Sequence, residues 1–183
     1  MTERPMRADA RRNRDKVLHA AREAFAKSGY EVPLDDIAAL AGVGPGTVYR
    51  HFPSKEALFD AVIAARLRDL IDDARDRAAA DDPGPAFFGF LARIGEEAAA
   101  KRDMPDAIEA PGPLRDEVNA ALGMLLDRAQ RAGAVRPDVT VPDLVLLLKG
   151  LFRSLQDTPA GDGGEAQRQR LSAVVADGLR ERR

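Results

Sequence analysis

The chain has 183 residues, of which 45% are hydrophobic and 32% charged, and its formal net charge is −2. This length and composition suit a globular protein that buries a core rather than a disordered chain. Cysteine is absent and only two histidines, His19 and His51, are present. These counts exclude disulfides, thiolate zinc sites, cysteine nucleophiles and histidine-rich metal centres, so we expect no metal and no cofactor.

The sequence also bears on where the protein acts. No apolar run reaches the roughly 18 to 20 residues that a membrane span requires. Residues 1–14 are charged and lack the apolar stretch of a secretory signal. We therefore expect a cytoplasmic protein that makes no contact with a membrane.

Charge is distributed unevenly along the chain. Residues 1–52 carry nine Lys and Arg against seven Asp and Glu, whereas residues 53–183 carry 19 against 23. The densest cationic cluster consists of Arg4, Arg7, Arg11, Arg12, Arg14 and Lys16. The asymmetry suggests a basic end that meets a polyanion, although a run of ordinary solvated charges has the same pattern.

Apolar residues recur at helical spacing throughout the chain, and we find no convincing strand alternation. Gly, Pro and Asp clusters separate the periodic segments and mark the turns. The pattern predicts an all-α fold of about nine helices, at residues 9–27, 34–40, 45–51, 55–80, 85–101, 105–109, 113–132, 142–157 and 164–180.

Residues 34–52 form a helix, a tight glycine turn and a second helix, which is the plan of a helix-turn-helix. Ile37, Leu40 and Val43 are expected to pack against Val48. The second helix needs a polar, unobstructed face to enter a groove about 12 Å wide. That face is supplied by Pro45, Gly46, Thr47 and Arg50, while groups able to donate to phosphate follow at Tyr49, His51 and Lys55.

The run from Ala41 to Leu58, AGVGPGTVYRHFPSKEAL, closely resembles the DNA-binding signature of the tetracycline-repressor (TetR) family. The resemblance covers about residues 11–63 and includes Phe25, Tyr30 and Ile37 at matching positions. It implies an all-helical homodimer with an N-terminal three-helix DNA-binding domain and a larger C-terminal ligand-binding domain. We therefore predict a DNA-binding domain at 1–54 and a helical regulatory and dimerisation domain at 55–183.

Residue roles follow from the resemblance and from the chemistry of each side chain. Tyr49 and Lys55 are expected to bind phosphate, and Thr47 and Arg50 to contact bases, because Arg pairs bidentately with guanine. The open alternatives are that Tyr49 packs on the first helix and that His51 is a surface residue. Gly44 stands where the family usually has Ser or Thr, so it caps the helix but lacks a hydroxyl. The Thr that commonly opens the second helix is likewise replaced, here by Val32-Pro33-Leu34.

The basic residues of the N-terminus are a further candidate contact. Arg7, Arg11 and Arg12 are placed to reach a neighbouring phosphate or the minor groove. A disordered tail without function is the alternative.

The C-terminal half shows apolar helices and no ligand-specific motif. A pocket for a small apolar ligand is predicted among Phe87, Phe88, Leu91, Ile94, Met104, Ile108, Leu122, Leu125, Leu126, Leu148 and Phe152. Ordinary core packing is the alternative for each of them. A four-helix dimer seam is predicted from Leu144, Leu148, Leu151, Leu155, Leu171, Val174, Val175 and Leu179, the alternative being the core of a monomer.

Two other classes of protein compete with a regulator. The chain lacks Gly-x-Ser-x-Gly, a Walker loop and His-Glu-x-x-His, and Thr47 stands where a dinucleotide fingerprint needs its third glycine, so we do not expect an enzyme. A helical dimeric interaction protein that has lost specific DNA binding remains the alternative. We predict that the protein is a ligand-responsive repressor. As a homodimer it is expected to bind a palindromic operator in double-stranded DNA.

Overall fold

Eight α-helices make up most of the chain that the computed structural model describes, residues 3–99, 112–159 and 161–181. They are α1 (Glu3–Ser28), α2 (Leu34–Ala41), α3 (Pro45–His51), α4 (Lys55–Ala78), α5 (Pro83–Ala99), α6 (Gly112–Arg131), α7 (Val141–Gln156) and α8 (Asp162–Leu179). No strand forms within these ranges, where an isolated antiparallel bridge joins Val135 and Arg180. The all-α prediction is confirmed.

Most helix bounds agree with the periodicity to within two residues, but α1 does not. It begins at Glu3 rather than at residue 9, so the basic N-terminal segment is part of the helix. The short helix predicted at 105–109 lies outside the described residues.

The chain divides into two compact units, the first of which covers residues 3–65 of the described chain. In this N-terminal unit α2 packs against α1 and α3. Its core is formed by side chains without solvent exposure, Val17, Phe25, Ile37, Val48 and Leu58. The unit extends past residue 54 into α4, because the Phe59 ring meets the Phe25 ring edge-on at 5.3 Å.

The C-terminal unit contains residues 66–99, 112–159 and 161–181. Its central element is α5, which contacts α6, α7 and α8. Phe87, Leu125, Val135, Leu144 and Leu155 are fully buried in this unit. Among the helices that the structure describes, none is both long and apolar enough to cross a membrane.

Candidate nucleic-acid interface

The turn between α2 and α3 is set by Gly42, which adopts the left-handed conformation with φ 66°. That conformation is strained for any residue with a Cβ. Its N–H donates to the carbonyls of Ala38 and Ala39, and the N–H of Val43 donates to Ala38 O at 3.0 Å. These hydrogen bonds satisfy the carbonyl groups at the end of α2 just before α3 begins. This is the local geometry of a helix-turn-helix.

The structure describes all seven residues of α3, and among them Val48 is the one that is buried. Its side chain therefore anchors the helix. Pro45 starts it at a position where no backbone donor is needed. Tyr49 is 50% exposed, and the remaining predicted contact residues are exposed or partly exposed: Gly44, Pro45, Gly46, Thr47, Arg50 and His51. The residues of α3 that are predicted to contact DNA are therefore accessible to solvent.

The packing of α2 departs from the sequence prediction at one residue. Ile37 and Ala38 are buried, but Leu40 is 55% exposed rather than packed inward. At 100° per residue Leu40 lies about 110° around the helix from the midpoint of the buried pair. The inward face of α2 is narrower than its hydrophobicity suggests.

Lys55, at the start of α4, is partly buried against an aromatic ring. Its Nζ lies 4.7 Å from the centre of the Tyr30 ring, which is a cation–π contact. The Tyr30 hydroxyl donates to Glu56 Oε1 at 3.0 Å. Desolvation and, secondly, the bond to Glu56 raise the pKa of Tyr30. The sequence identified Tyr30 only as a position that matches the family resemblance and gave it no role at the site.

Basic side chains of α1 differ in their surroundings. Arg11 is exposed, and Arg12 pairs with Asp9 on the same helix. The Arg14 guanidinium lies over the Phe52 ring, 5.2 Å from its centre, and the Phe52 ring lies 6.4 Å from that of His51. Arg14 is therefore close to the end of α3, a placement that the sequence pattern did not indicate because the contact joins residues far apart in the chain.

The predicted pocket residues that the structure describes belong to the C-terminal unit. Those that are buried are Phe87, Leu91, Ile94, Leu122, Leu125, Leu126 and Leu148. Phe88 and Phe152 are partly buried, with an arginine over each ring: Arg180 over Phe88 at 4.2 Å and Arg66 over Phe152 at 4.8 Å. Met104 and Ile108 lie outside the described residues.

Charged groups accompany these apolar residues. Asp73 of α4 accepts a hydrogen bond from Arg77 at 2.9 Å and forms an ion pair with Arg93 of α5 at 2.8 Å. Only the first of these pairs has a sequence signal, the four-residue spacing on one helix. The sequence did not predict the ion pair between Arg93 and Asp73, because helical periodicity does not indicate that these two residues lie close together.

Most residues predicted for the dimer seam pack inside a single chain. Leu144, Leu148, Leu151, Leu155 and Leu179 are buried, and Leu171 and Val175 pack against Leu151 and Leu155. Of the predicted set Val174 stands out as exposed, at 69%. The outward sides of α7 and α8 instead present apolar residues at Leu146, Leu147 and Val174. Within one chain the buried part of the stripe belongs to the core of this unit, while Val174 lies on its surface.

Two family models match the chain. Residues 17–62 match the model for bacterial regulatory proteins of the tetR family, and residues 82–181 match that for the C-terminal domain of SbtR-like transcriptional regulators. The second match alone covers more than half of the chain.

Individual proteins are similar over most of their length. The HTH-type transcriptional regulator UidR of Escherichia coli is 30% identical, with 86% of this chain and 87% of that protein covered. An HTH-type transcriptional repressor of Mycobacterium tuberculosis is 32% identical, with 88% of each covered.

Solved structures agree with these sequence matches. A TetR transcription regulatory protein from Mycobacterium vanbaalenii is 42% identical and superposes with a TM-score of 0.71, covering 96% of this chain and 99% of that one. A TetR transcriptional regulator from Streptomyces coelicolor is 34% identical with a TM-score of 0.73, covering 93% and 99%.

Proposed function

The chain belongs to the TetR family of bacterial transcriptional regulators, and from this we propose that it is a repressor whose homodimer binds a palindromic operator and leaves it when a small apolar molecule binds the C-terminal unit. DNA-binding regulators, not enzymes, make up the family, and dimerisation and ligand response are typical of it. The observation that carries the proposal is the accessible face of α3, with Thr47, Tyr49 and Arg50 displayed around one buried anchor, Val48.

We assign the contacts by chemistry. Thr47 and Arg50 read bases in the major groove, where a guanidinium matches the two acceptors of guanine. Tyr49, His51 and Lys55 bind phosphates, which position the helix without reading sequence. Gly44, Pro45 and Gly46 admit the close approach of the duplex, since a Cβ at either glycine would meet nothing within 4 Å. Arg11, exposed on α1, is a further phosphate contact in this proposal.

The proposed division of labour gives DNA binding to residues 1–54 together with the adjoining Lys55, and regulation and dimerisation to the rest of residues 55–183. Two copies of α3 in a twofold dimer fit half-sites about 34–36 Å apart, or a multiple of that spacing. The dimer contact is placed on the outward sides of α7 and α8, where Leu146 and Val174 are exposed apolar residues. Because the proposed partner is an operator, we also propose that the protein acts in the cytoplasm.

Ligand response requires a molecule that prefers one state of the dimer. Such a ligand lowers operator affinity by its differential affinity for the two states and by no more. The apolar residues of α5, α6 and α7, among them Phe87, Leu122, Leu148 and Phe152, support a small apolar ligand. We propose α4 as the transmitter, because its residues 55–65 belong to the N-terminal unit and 66–78 to the C-terminal unit.

The DNA-binding proposal is tested by selecting bound fragments from random duplexes and titrating the selected site over a range of salt concentrations. We expect a palindrome, nanomolar affinity and a steeply negative slope of log affinity against log salt. Arg50→Ala should cost about 1–3 kcal/mol at one base pair and relax the preference there. Lys55→Ala should weaken every sequence alike and reduce the salt slope by about 1.

Arg131→Ala is the matched control, because Arg131 is an exposed arginine of α6 that pairs with Asp127 on the same helix. It removes the same charge and should leave both the preference and the slope unchanged. Equal, weak binding to every duplex would overturn the proposal and favour a helical interaction protein.

The ligand-response proposal is tested with a thermal-shift screen of small apolar molecules, because a molecule that binds the native state alone raises its stability. A spin label at Glu23→Cys, exposed on α1 in a chain without other cysteines, reports the separation of the two DNA-binding units. A stabilising molecule should weaken operator binding and change that separation. Weakened binding at an unchanged separation would rule out α4 as the transmitter.

A further inference from the structure

We infer that Tyr30, in the connection between α1 and α2, positions the ammonium group of Lys55 for an operator phosphate. The inference rests on the proposed phosphate contact of Lys55 and adds to it a residue that itself touches no DNA. It follows from the 4.7 Å distance between Lys55 Nζ and the centre of the Tyr30 ring.

The Tyr30 ring is a fixed platform, because contacts from two helices hold it. The Phe25 ring of α1 lies nearly parallel to it, at 6.1 Å and 17°. The Phe59 ring of α4 meets it edge-on at 5.1 Å and 89°. The Tyr30 hydroxyl is anchored on Glu56 Oε1. A cation that rests on this ring is therefore held at a defined place beside the first turn of α4.

Lysine gains from such a platform because its side chain is long and flexible. An unrestrained ammonium loses rotamer freedom when it is immobilised on a phosphate, which weakens the contact. A cation–π contact orders the side chain before DNA arrives and leaves the ammonium hydrogens free to donate. Preorganisation of this kind raises affinity without adding a contact to the DNA.

The Tyr30 hydroxyl has a second effect, on the carboxylate next to Lys55. Glu56 has its pKa lowered by its own backbone N–H first, then by the hydroxyls of Ser54 and Tyr30, with the charge of Lys55 a smaller cause. The Tyr30 hydroxyl thus occupies one oxygen of this carboxylate, at 3.0 Å.

The test measures operator affinity and its salt dependence for Lys55→Ala, Tyr30→Leu and the double variant. Leucine keeps an apolar side chain against Phe25 and Phe59 but removes the aromatic face. Tyr30→Leu should weaken binding to every duplex by roughly twofold to fivefold, the range of an exposed cation–π contact, with base preference unchanged. In the Lys55→Ala background the same substitution should cause no further loss.

Fluorination at the same position gives an independent measurement if the leucine variant fails to fold. Tyr30→Phe is the reference, and its mono-, di- and trifluorinated phenylalanine analogues preserve the ring while withdrawing electron density from its face. Affinity should fall stepwise with fluorine count when Lys55 is present and stay constant in Lys55→Ala.

Two failures are distinguishable. If the two substitutions weaken operator binding by independent factors, Tyr30 has only a structural role and the inference is overturned while the repressor proposal stands. If the unmodified protein shows no salt-dependent preference for any palindrome, the proposed function itself fails.

Discussion

Helices α3 and α7 differ in the side chains that they bury and expose. The seven residues of α3 are held by one buried side chain, Val48, and display small and polar groups. In the sixteen residues of α7 a leucine stripe is buried, yet Leu146 is still 68% exposed on the outer side. A polar, accessible helix suits a hydrated polyanion, whereas exposed apolar side chains favour a second apolar surface. The two helices thus present surfaces of opposite character.

The largest test of this contrast is the removal of the exposed apolar side chains of α7 and α8. Leu146→Asp combined with Val174→Asp changes four side chains per dimer. At about 1.5 kcal/mol for each buried apolar side chain, the dimer should lose roughly 6 kcal/mol, about four powers of ten in its dissociation constant. Sedimentation equilibrium should show a dimer for the unmodified protein and a monomer for the double variant.

Met124→Asp is the matched control for this experiment. Met124 is 47% exposed on α6, so the substitution places one carboxylate per chain, against two in the double variant, at another exposed apolar residue. This variant should remain dimeric. A monomeric Met124→Asp beside a dimeric double variant would move the seam to α6 and remove the proposed role of α7 and α8.

The α7–α8 turn offers the next largest effect. A Cβ on Gly164 would overlap the backbone carbonyl oxygen of Pro159, which also accepts a hydrogen bond from Arg168 Nη1 at 3.1 Å. Gly164→Ala should lower the free energy of unfolding by about 3 kcal/mol or more, measured by urea titration.

Gly163→Ala tests whether that loss is specific. A Cβ at Gly163 meets nothing within 4 Å, and alanine is the better helix former, so stability should change by less than about 1 kcal/mol, in the favourable direction. Equal losses of stability at the two glycines would mean that the close approach of Gly164 to Pro159 does not determine the stability of this turn.

Val48→Ala tests the single anchor of α3. Removing two methyl groups from this fully buried site should cost about 2 kcal/mol in the N-terminal unit, measured by chemical denaturation. Tyr49→Ala, at a neighbouring residue that is half exposed, should change stability by less than about 1 kcal/mol. A larger loss at Tyr49 would support the alternative that its ring packs against α1.

The helices and the face of α3 were predictable from the sequence for a local reason. Helical periodicity and turn residues such as Gly42 and Pro45 act within a few residues. A polar, accessible surface is also identified directly by its residue types. The contact residues of α3 could therefore be proposed before the fold was known.

The dimer seam and the paired side chains were not predictable in the same way. Periodicity gives the phase of Leu144 or Leu155 on its own helix but does not say which surface covers it, so core and seam look alike. The contacts of Lys55 with Tyr30 and of Arg93 with Asp73 join distant parts of the chain. Only the tertiary packing brings such residues together.

The smallest test concerns how α3 and α7 begin. Gly44 provides α3 with no side-chain cap, whereas Thr140 and Asp143 form a capping box on α7, with Thr140 Oγ1 accepting from Asp143 N at 3.4 Å and Asp143 Oδ2 accepting from Thr140 N at 3.0 Å. Thr140→Ala should lower stability at neutral pH by about 1 kcal/mol.

The same capping box makes the start of α7 sensitive to acid. The Thr140 hydroxyl first, and then the Thr140 N–H, hold the pKa of Asp143 below its ordinary value. A lowered folded-state pKa gives stability that is complete above the unfolded pKa, about 4, and is lost as the pH falls through the folded value. Stability measured from pH 7 to 2 should therefore decline less steeply in Asp143→Asn than in the unmodified protein. If stability fell equally steeply with pH in both proteins, protonation of Asp143 would not affect the stability of α7. The starts of α3 and α7 would then differ in stability but not in their response to acid.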